Sequence, residues 1–321
     1  MAITNNGLAP DAYKVSNSEL QTFKDCRRKW YFAYYLRLKP KANKVTGPLA
    51  LGSRIHEALD QHYSTGVDLL GSYKALLETD KALALAEWSN VNMEEFDSEG
   101  ELGRIMLEGY EEWTAEEGID VELELVSTEE ILSMPLYNGA VELQGKLDMR
   151  VRRKVDGVRM FRDYKTTKRF GDIEETAQIN EQILTYMLLE AAQNRDGERS
   201  EGGIFTMLKK VKRTATAKPP FYKQFEVRHN QFTLRNFWQH INGVVGDLMR
   251  TKDALDKSVS HQFVAYPRPS RDCTWKCNFY SICGMTDDGS AVDEAIEEHF
   301  ERHDPYDYYA NGKDFTEKGN E

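Results

Sequence analysis

The sequence predicts an α/β fold with a mixed β-sheet, and two observations support this prediction. From residue 52 onward the hydrophobic patterns follow the order helix, strand, strand, strand, helix, strand, which is typical of a sheet packed against helices. Val155-Asp156-Gly157 separates the second and third of these strands, and an Asp-Gly pair between two strand patterns predicts a hairpin. We therefore expect helices on a sheet that is not purely parallel.

The other helices and strands follow from periodicity and capping residues. Residues 17–36 form an aromatic-rich helical pattern that begins at Asn17 or Ser18, either of which is a good N-cap. Further helices are predicted at 48–64, in acidic sequence from there to about residue 117, at 173–192 and at 230–257. Strands are predicted at 120–127, 139–155, 158–165, 203–208 and 222–229, the last as an edge strand.

The composition is that of an ordinary globular protein, with 40% hydrophobic and 30% charged residues among 321. A chain of this length can bury one large core or two smaller ones. No run of eighteen apolar residues is present, and the N-terminus has neither the basic nor the apolar region of a signal peptide. We therefore expect a cytoplasmic protein without a membrane span.

The net charge of −11 is concentrated at the C-terminus. Residues 286–321 contain twelve Asp and Glu residues against three Lys and Arg residues, whereas the rest of the chain has a net charge of only −2. A tail of this composition is predicted to be weakly ordered, and residues 1–14 are predicted to be flexible. Because the acidic charge is localised, a basic groove elsewhere and a nucleic-acid partner are not excluded.

Two aspartates are predicted to meet on neighbouring strands. Asp148 lies on the first strand of the predicted hairpin and Asp163 on the second. Two carboxylates repel each other unless a positive group lies between them, and oxygen ligands favour a divalent cation. Asp163 and Lys165 are separated by one residue, so they share a face of the strand. His56, on a preceding helix, would add a nitrogen ligand, although alone it also fits a surface histidine.

Four motifs occur in one order along the chain. They are His56 on a helix, "GKLD" ending at Asp148, "DYK" at 163–165, and "QILTY" from Gln182 to Tyr186. In this order and on these elements they resemble the motifs of the RecB-type nucleases of the PD-(D/E)xK superfamily, which include CRISPR-associated and AddB-like exonucleases with an iron–sulfur cluster. The resemblance implies a restriction-endonuclease-like core, α-β-β-β-α-β, in a bacterial or phage protein.

The resemblance also implies catalytic roles for Asp148, Asp163 and Lys165. In such a site the two carboxylates hold Mg²⁺ or Mn²⁺, with His56 and the backbone carbonyl of Tyr164 as further ligands. The metal lowers the pKa of a bound water and polarises the phosphate. Lys165 either orients this water or removes its proton, and it offsets charge in the transition state.

The four cysteines of the chain are Cys26, Cys273, Cys277 and Cys283. Four thiolates suit a [4Fe–4S] cluster or a tetrahedral zinc ion, and four free thiols are the third alternative. Zinc ribbons usually contain two C-x2-C pairs, whereas one distant cysteine and a C-terminal group of three resembles the iron–sulfur nucleases. The resemblance therefore implies a cluster that joins residue 26 to residues 273–283, within a nuclease domain over residues 15–285.

Besides the basic residues of the predicted hairpin, which are Arg150, Arg152, Arg153 and Lys154, three groups of residues are predicted to contact DNA. The first is a basic loop after the strand at 203–208, made of Lys209, Lys210, Lys212 and Arg213. The second is a basic and aromatic segment beside the first cysteine, which includes Arg27, Arg28, Trp30 and Phe32 and suits a groove with stacking platforms. The third, implied by the resemblance, is the pair Gln182 and Tyr186, which share a helical face.

The sequence thus predicts a divalent-metal-dependent DNA exonuclease that hydrolyses single strands or duplex ends. The resemblance implies a role in recombination or repair, with a helicase or another recombination protein as a partner. A structure-specific endonuclease on the same fold is the alternative among enzymes. A non-catalytic DNA-binding subunit that keeps the cluster is the other alternative, and such a subunit would be expected to lack Asp163 or Lys165, which are both present.

Overall fold

The structure is a computed structural model, and it describes residues 8–41, 45–87, 91–193 and 200–310. The strands are β1 (Tyr13–Ser16), β2 (Leu38–Pro40), β3 (Leu123–Leu136), β4 (Val141–Arg153), β5 (Arg159–Thr167), β6 (Ser200–Lys209), β7 (Tyr222–Arg228) and β8 (Phe300–Arg302). The first eight helices are α1 (Asn17–Asp25), α2 (Arg27–Trp30), α3 (Pro48–Thr65), α4 (Leu69–Glu87), α5 (Met93–Glu117), α6 (Gly171–Glu174), α7 (Glu181–Gln193) and α8 (Gln231–Asp256). Short helices follow near the C-terminus: α9 (His261–Val264), α10 (Cys273–Lys276), α11 (Tyr280–Cys283), α12 (Met285–Asp288), α13 (Val292–His299) and α14 (Asp307–Ala310).

The main sheet is mixed, which confirms the predicted fold class. β4 pairs with β5 antiparallel, β5 with β6 parallel, and β6 with β7 antiparallel. β1 runs parallel to β4, and β3 also pairs with β4. The hairpin predicted at Asp156-Gly157 joins β4 to β5, and Gly157 has a φ of +71°, which glycine adopts without strain. β7 is the edge strand that the sequence predicts.

Two of the predicted helices are interrupted. The helix predicted at 17–36 ends at Asp25, since Cys26 is extended, with φ −161° and ψ 112°. It continues as α2 and a π-helical turn over Tyr31–Tyr35, and Ser16 rather than Asn17 or Ser18 caps its start. The helix predicted at 173–192 is divided into α6, a 3-10 turn at Ala177–Ile179, and α7. Among the described residues, no helix has the length and apolar character that a membrane span requires.

The chain forms two compact units. One contains the described residues of 1–42, 133–145 and 232–312, and the other those of 43–132 and 146–231. The core of the second unit is built from α3, α5, β4, β5 and β6 and includes Ile55, Leu107, Tyr164 and Leu208. A small core in the first unit includes Phe32, Leu38, Phe279 and Phe300.

The C-terminal segment contains regular structure within the predicted tail. Helix α13 precedes β8, and β8 pairs antiparallel with β2. Phe300 on β8 is buried in the small core of the first unit. Residues 311–321 of the predicted tail lie outside the described residues, as do residues 1–7 of the predicted flexible N-terminus.

Candidate active site

The hairpin of β4 and β5 brings Asp148 and Asp163 to the same place. The register pairs Met149 with Arg162, so the two aspartates follow as the next pair. Asp163 is only 4% exposed, and the backbone N–H of Tyr164 donates to Asp148 Oδ2 at 3.0 Å. This hydrogen bond fixes the carboxylate of one strand on the main chain of the other.

Lys165 lies on the same side of β5 as Asp163, as strand alternation predicts. Its Nζ atom is 2.7 Å from Asp163 Oδ2, and it donates a hydrogen bond to Gln182 Oε1 at 3.0 Å. The ammonium group is therefore held by a carboxylate on its own strand and by an amide on α7.

Gln182 and Tyr186 form part of this network. Gln182 Nε2 donates to Asp163 Oδ1 at 3.1 Å and to the Tyr186 hydroxyl at 2.8 Å. The Tyr186 hydroxyl in turn donates to the backbone carbonyl of Lys146 at 2.9 Å, and the ring of Tyr186 meets Phe161 edge-on. The two residues do share a face of α7, and this face is directed at the carboxylates. Tyr186 is buried, so its ring packs within the second unit.

His56 reaches the site from α3. Its Nδ1 atom lies 3.4 Å from Asp148 Oδ2, and its ring meets the Tyr164 ring edge-on with centroids 6.3 Å apart. The structure therefore brings His56 to Asp148, as the sequence predicts, in an ion-pair geometry.

The charges in this cluster alter one another's ionisation. Burial raises the pKa of Asp163, and the charge of Lys165 opposes only part of this effect. Burial acts the same way on Asp148, but the charges of His56 and Lys165 outweigh it and lower the pKa of that carboxyl. Burial alone would lower the pKa values of Lys165 and His56, yet the two carboxylates raise both. Lys165 is therefore an ammonium group at neutral pH.

A buried polar network behind β5 was not predicted from the sequence. Arg162 is 1% exposed and donates to Asp120 at 2.6 Å, to the Tyr110 hydroxyl at 3.0 Å and to the Thr206 hydroxyl at 2.8 Å. Tyr110 is also within 3.3 Å of the Tyr164 hydroxyl. The sequence contained one indication of this network. Side chains alternate along a strand, so Arg162 faces the core, where an arginine needs buried partners.

A comparison with family models decides which class of protein this is. The model of the PD-(D/E)XK nuclease superfamily matches residues 14–284. This chain belongs to the PD-(D/E)XK nuclease superfamily. The fold described above is accordingly the restriction-endonuclease-like fold with a helical N-terminal part.

Solved structures similar to this nuclease have low sequence identity. The crystal structure of SSO0001 is 13% identical over 87% of this chain and 88% of that chain, with a TM-score of 0.33. A protein from Eubacterium rectale, described as a proposed exonuclease, is 13% identical over 78% of this chain and 83% of its own, with a TM-score of 0.46. A search of curated proteins gave no match. Likenesses at this level support no conclusion about the activity.

The residues around Asp163 fit a divalent cation in their chemistry. Asp163 Oδ2 is buried, and apart from its ion contact with Lys165 it has no hydrogen-bond partner in the described part of the chain. Asp148 supplies a second carboxylate, and hard cations prefer such oxygen ligands. However, within the described residues no three His, Cys, Asp or Glu side chains converge closely enough to hold a metal ion. The role of His56 as a third ligand thus stays a prediction.

The four cysteines of this nuclease all lie in the first unit, as free thiols. Burial raises the pKa of Cys277, and the neighbouring Cys26 and Cys273 raise it further. Burial also raises the pKa of Cys283, and the neighbouring Cys26 and Cys277 raise it further. Cys277 therefore lies within electrostatic reach of Cys26, Cys273 and Cys283, although 246 residues lie between Cys26 and Cys273 in the sequence.

Backbone N–H groups lie next to two of these thiols. The backbone N–H groups of Arg268 and Ser270 donate to the sulfurs of Cys26 and Cys273 at 3.4 and 3.3 Å. Hydrogen bonds of this kind stabilise thiolate ligands and tune clusters. The ligands of a cluster bind different iron atoms, so their sulfurs need not approach as closely as the ligands of a single ion. The donor set is thus suitable, and the cluster itself stays a prediction.

Most residues of the basic loop that is predicted to contact DNA have partners within the protein. Arg213 is held by protein groups, since it donates to the Tyr222 hydroxyl at 2.7 Å and lies 3.7 Å from the centre of the Phe221 ring. Lys212 donates to Ser98 at 3.0 Å, Lys209 lies 5.9 Å from the centre of the Phe170 ring, and burial lowers the pKa of Lys210. Their role in DNA binding stays a prediction.

In the segment beside Cys26, the prediction that Trp30 and Phe32 are stacking platforms is wrong. Both rings are buried, with exposures of 0% and 2%, and a buried ring cannot stack on a nucleobase. Arg28 is also buried, and it is bound to Asp287 at 3.1 Å and to the carbonyl of Ala265. Its role is therefore structural. The same correction applies to Arg150 of the predicted hairpin patch, which is buried and paired with Glu130 and Glu190.

Proposed function

We propose that this chain is a divalent-metal-dependent deoxyribonuclease that acts as an exonuclease on single strands or duplex ends. The observation that supports it best is the meeting of Asp148 and Asp163 across the hairpin with Lys165 Nζ 2.7 Å from Asp163. Phosphodiester hydrolysis needs a site for a metal and a nearby cation to offset developing charge, and this set provides both. The exonuclease mode, the setting in recombination or repair, and a helicase partner rest on the resemblance of the motifs alone.

In this proposal Asp148, Asp163 and the backbone carbonyl of Tyr164 hold the cation, which would lower the pKa of a coordinated water and polarise the phosphate. Mn²⁺ and Mg²⁺ both suit these ligands, and a nitrogen ligand from His56 would favour Mn²⁺. The two carboxylates raise the pKa of Lys165. Lys165 would orient the attacking water or remove its proton, and it would offset charge in the transition state.

The proposal includes a [4Fe–4S] cluster on Cys26, Cys273, Cys277 and Cys283. Its support is the gathering of the four thiols in one unit and the backbone N–H groups that face two of the sulfurs. The cluster would tie the N-terminal helices to the C-terminal segment of the first unit, and no redox step is assigned to it.

A nuclease assay with four proteins tests the activity. Wild type, Asp163→Asn and Lys165→Ala would be incubated with end-labelled linear single-stranded DNA and Mg²⁺, Mn²⁺ or Ca²⁺. Lys223→Ala is the matched control, because Lys223 also pairs with a carboxylate, Glu174, but lies on the edge strand. We expect cleavage by wild type and the control with Mg²⁺ or Mn²⁺, poor cleavage with Ca²⁺, and a loss of at least about 100-fold in both site variants. Wild-type rates in either site variant would contradict the site assignment.

Circular single-stranded DNA separates the two modes of action. An exonuclease needs an end, so the circle should stay intact while the linear strand is shortened. Cutting of the circle at a similar rate would establish an endonuclease on the same fold. Binding of DNA without cutting of either substrate would establish the non-catalytic alternative.

A further inference from the structure

A cavity of about 460 Å³ lies in the first unit beside Cys26. Its walls come from the end of α1, from α8 and from the loop at 266–268. A volume in this range is typical of sites that bind small molecules or parts of larger ligands. The cavity belongs neither to the carboxylate cluster nor to its network, which lie in the second unit.

Two guanidinium groups in the cavity wall are available for a ligand. Arg27 lies over two aromatic rings, 4.9 Å from the centre of Phe23 and 5.3 Å from that of Tyr266. Among the described residues no carboxylate pairs with Arg27 or with the exposed side chain of Arg268. A guanidinium group that stacks on an aromatic ring can still bind a phosphate in bidentate geometry through its N–H groups.

The acids in the wall do not cancel this charge. Asp247 and Asp25 both line the cavity. Asp247 accepts a hydrogen bond from Arg250, so among the described lining residues Asp25 is the acid left to oppose the two guanidinium groups. The cavity thus favours an anion.

Tyr266 supplies the other half of a nucleotide site. Its side chain is 50% exposed at the edge of a cation-lined cavity. Aromatic rings next to guanidinium groups are the usual surface on which proteins stack the bases of single strands. An acidic peptide would use the cations but would gain little from the ring.

We propose that this cavity binds one nucleotide of a single-stranded nucleic acid, with Tyr266 stacked on the base and Arg27 and Arg268 bound to phosphate. The proposal rests on the proposed function for the identity of the ligand and deepens it by naming a binding site distant in sequence from the carboxylates. The backbone N–H of Arg268 donates to Cys26 Sγ, so the loop that carries two of the three groups is fixed against the proposed cluster.

Fluorescence anisotropy with a short labelled oligothymidylate tests the site. All proteins would be full length and carry Lys165→Ala, so that the probe is not cut. We expect Tyr266→Ala to lower the affinity by about 5- to 100-fold and Tyr266→Phe by no more than about twofold, because phenylalanine keeps the stacking face. Arg268→Ala should reduce the slope of log affinity against log salt by about 0.7 for each phosphate that the guanidinium group no longer neutralises.

Matched controls come from the same unit. Tyr280 is 55% exposed and Arg235 lies over the ring of Phe232 at 5.8 Å, but neither lines the cavity. Tyr280→Ala and Arg235→Ala should bind like the parent protein. Melting temperature and iron content of each variant show whether the fold is intact. If Arg27→Ala does not fold, the exposed residues Tyr266 and Arg268 still give the result.

Three outcomes would overturn the inference. They are parental affinity in both Tyr266→Ala and Arg268→Ala, an equal loss in the two controls, and competition by poly-glutamate as strong as by unlabelled oligothymidylate, which would identify a general anion site. A wild type that does not cut DNA but whose binding depends on Tyr266 would refute the proposed hydrolysis and leave this site standing. A wild type that cuts DNA, with parental affinity in both Tyr266→Ala and Arg268→Ala, would refute this site and leave the proposed hydrolysis standing.

Discussion

Gln182 uses both ends of its carboxamide inside the candidate site. Its oxygen accepts from Lys165, and its nitrogen donates to Asp163 and Tyr186. One neutral side chain thus fixes the relative position of a carboxylate and an ammonium group. The resemblance implies a DNA contact for this residue, but these hydrogen bonds favour a positioning role.

Gln182→Ala should therefore lower kcat more than it weakens DNA binding. Removal of the amide frees Lys165 and Asp163 to move, and misplacement of reacting groups costs about 100-fold in rate. Single-turnover cleavage would be compared with the affinity for uncut DNA. As a control, Gln193→Ala changes the same residue type at the far end of α7. A large loss of affinity with an unchanged single-turnover rate would instead support the DNA contact.

Glu19 is a second residue whose surroundings give it unusual ionisation. It is fully buried, and it accepts hydrogen bonds from Tyr13 at 2.7 Å, from Trp30 at 2.8 Å and from Tyr306. Burial raises the pKa of Glu19 to about 7, and these hydrogen bonds oppose part of the effect. The folded state thus binds this proton more tightly than the unfolded state does.

Stability should consequently fall as pH rises through this range. The contribution is fully present below the ordinary carboxyl value of 4.5 and is lost as pH passes about 7, and the difference corresponds to roughly 3 kcal/mol of unfolding free energy. Glu19→Gln cannot ionise, so its melting temperature should change less between pH 5 and 8 than that of wild type. The exposed Glu78→Gln serves as the control. Parallel melting curves for wild type and Glu19→Gln over this range would contradict the prediction.

The sequence predicts correctly those site residues whose positions depend on local backbone geometry. Asp163 and Lys165 share a face because strands alternate, and a hairpin turn places Asp148 opposite them. The partners of Gln182 and Glu19 depend on how helices pack on distant segments, and sequence spacing does not contain this information. The DNA-binding roles predicted for Arg28 and Trp30 are wrong for the same reason, since burial follows from tertiary contacts.

Among the elements, the segment after α1 shows why the predicted helix 17–36 is wrong in part. It contains neither Gly nor Pro, so no local signal marks a break. The extended backbone at Cys26 places its sulfur next to the backbone N–H of Arg268, and Arg28 forms an ion pair with Asp287. These contacts override a weak local preference.

Three elements of the second unit are joined by a buried ionic group. Arg150 on β4 donates to Glu190 on α7 and to Glu130 on β3, the latter at 2.8 Å. All three side chains are at most 8% exposed. Glu190 lies on the same helix as Gln182, so this group also fixes the helix that positions the site.

Arg150→Met should destabilise the protein by about 3–5 kcal/mol, because it leaves two buried carboxylates without their cation. Arg152→Met, two residues further along the strand and 34% exposed, should cost at most about 1 kcal/mol. Urea denaturation would measure both. Adding Glu130→Gln and Glu190→Gln to Arg150→Met should restore part of the loss, since the buried charges are then removed. A cost for Arg150→Met no larger than that for Arg152→Met would contradict the prediction.

For the whole molecule, the order of elements and the mixed sheet follow from the sequence because each depends on periodicity and one turn. The division into two units cannot be predicted from the sequence, because one unit is assembled from three separate stretches of the chain. Nor can the pairing of β2 with β8, which joins residues 38–40 to residues 300–302. Long-range pairings of this kind leave no pattern in either strand alone.

This assembly makes Cys26 the residue on which we expect the first unit to depend most. It is the only cysteine from the N-terminal stretch, and a cluster would join it to the C-terminal group. Closing a loop of that size is worth roughly 5 kcal/mol in the chain-entropy model, against about 5–15 kcal/mol of net stability for a typical domain. A metal crosslink should act similarly and be lost in the apo protein.

Cys26→Ser should therefore yield a protein with little bound iron, a lower melting temperature and faster proteolysis than wild type. The wild type should be brown and contain close to four irons per chain. Cys283→Ser is the matched variant, since it removes a ligand of the same proposed cluster and should lose iron to a similar extent. A colourless wild type with one zinc ion would contradict the iron assignment but keep the crosslink. Iron content and melting behaviour unchanged in Cys26→Ser would exclude both, and the four residues would then be free thiols that pack near one another.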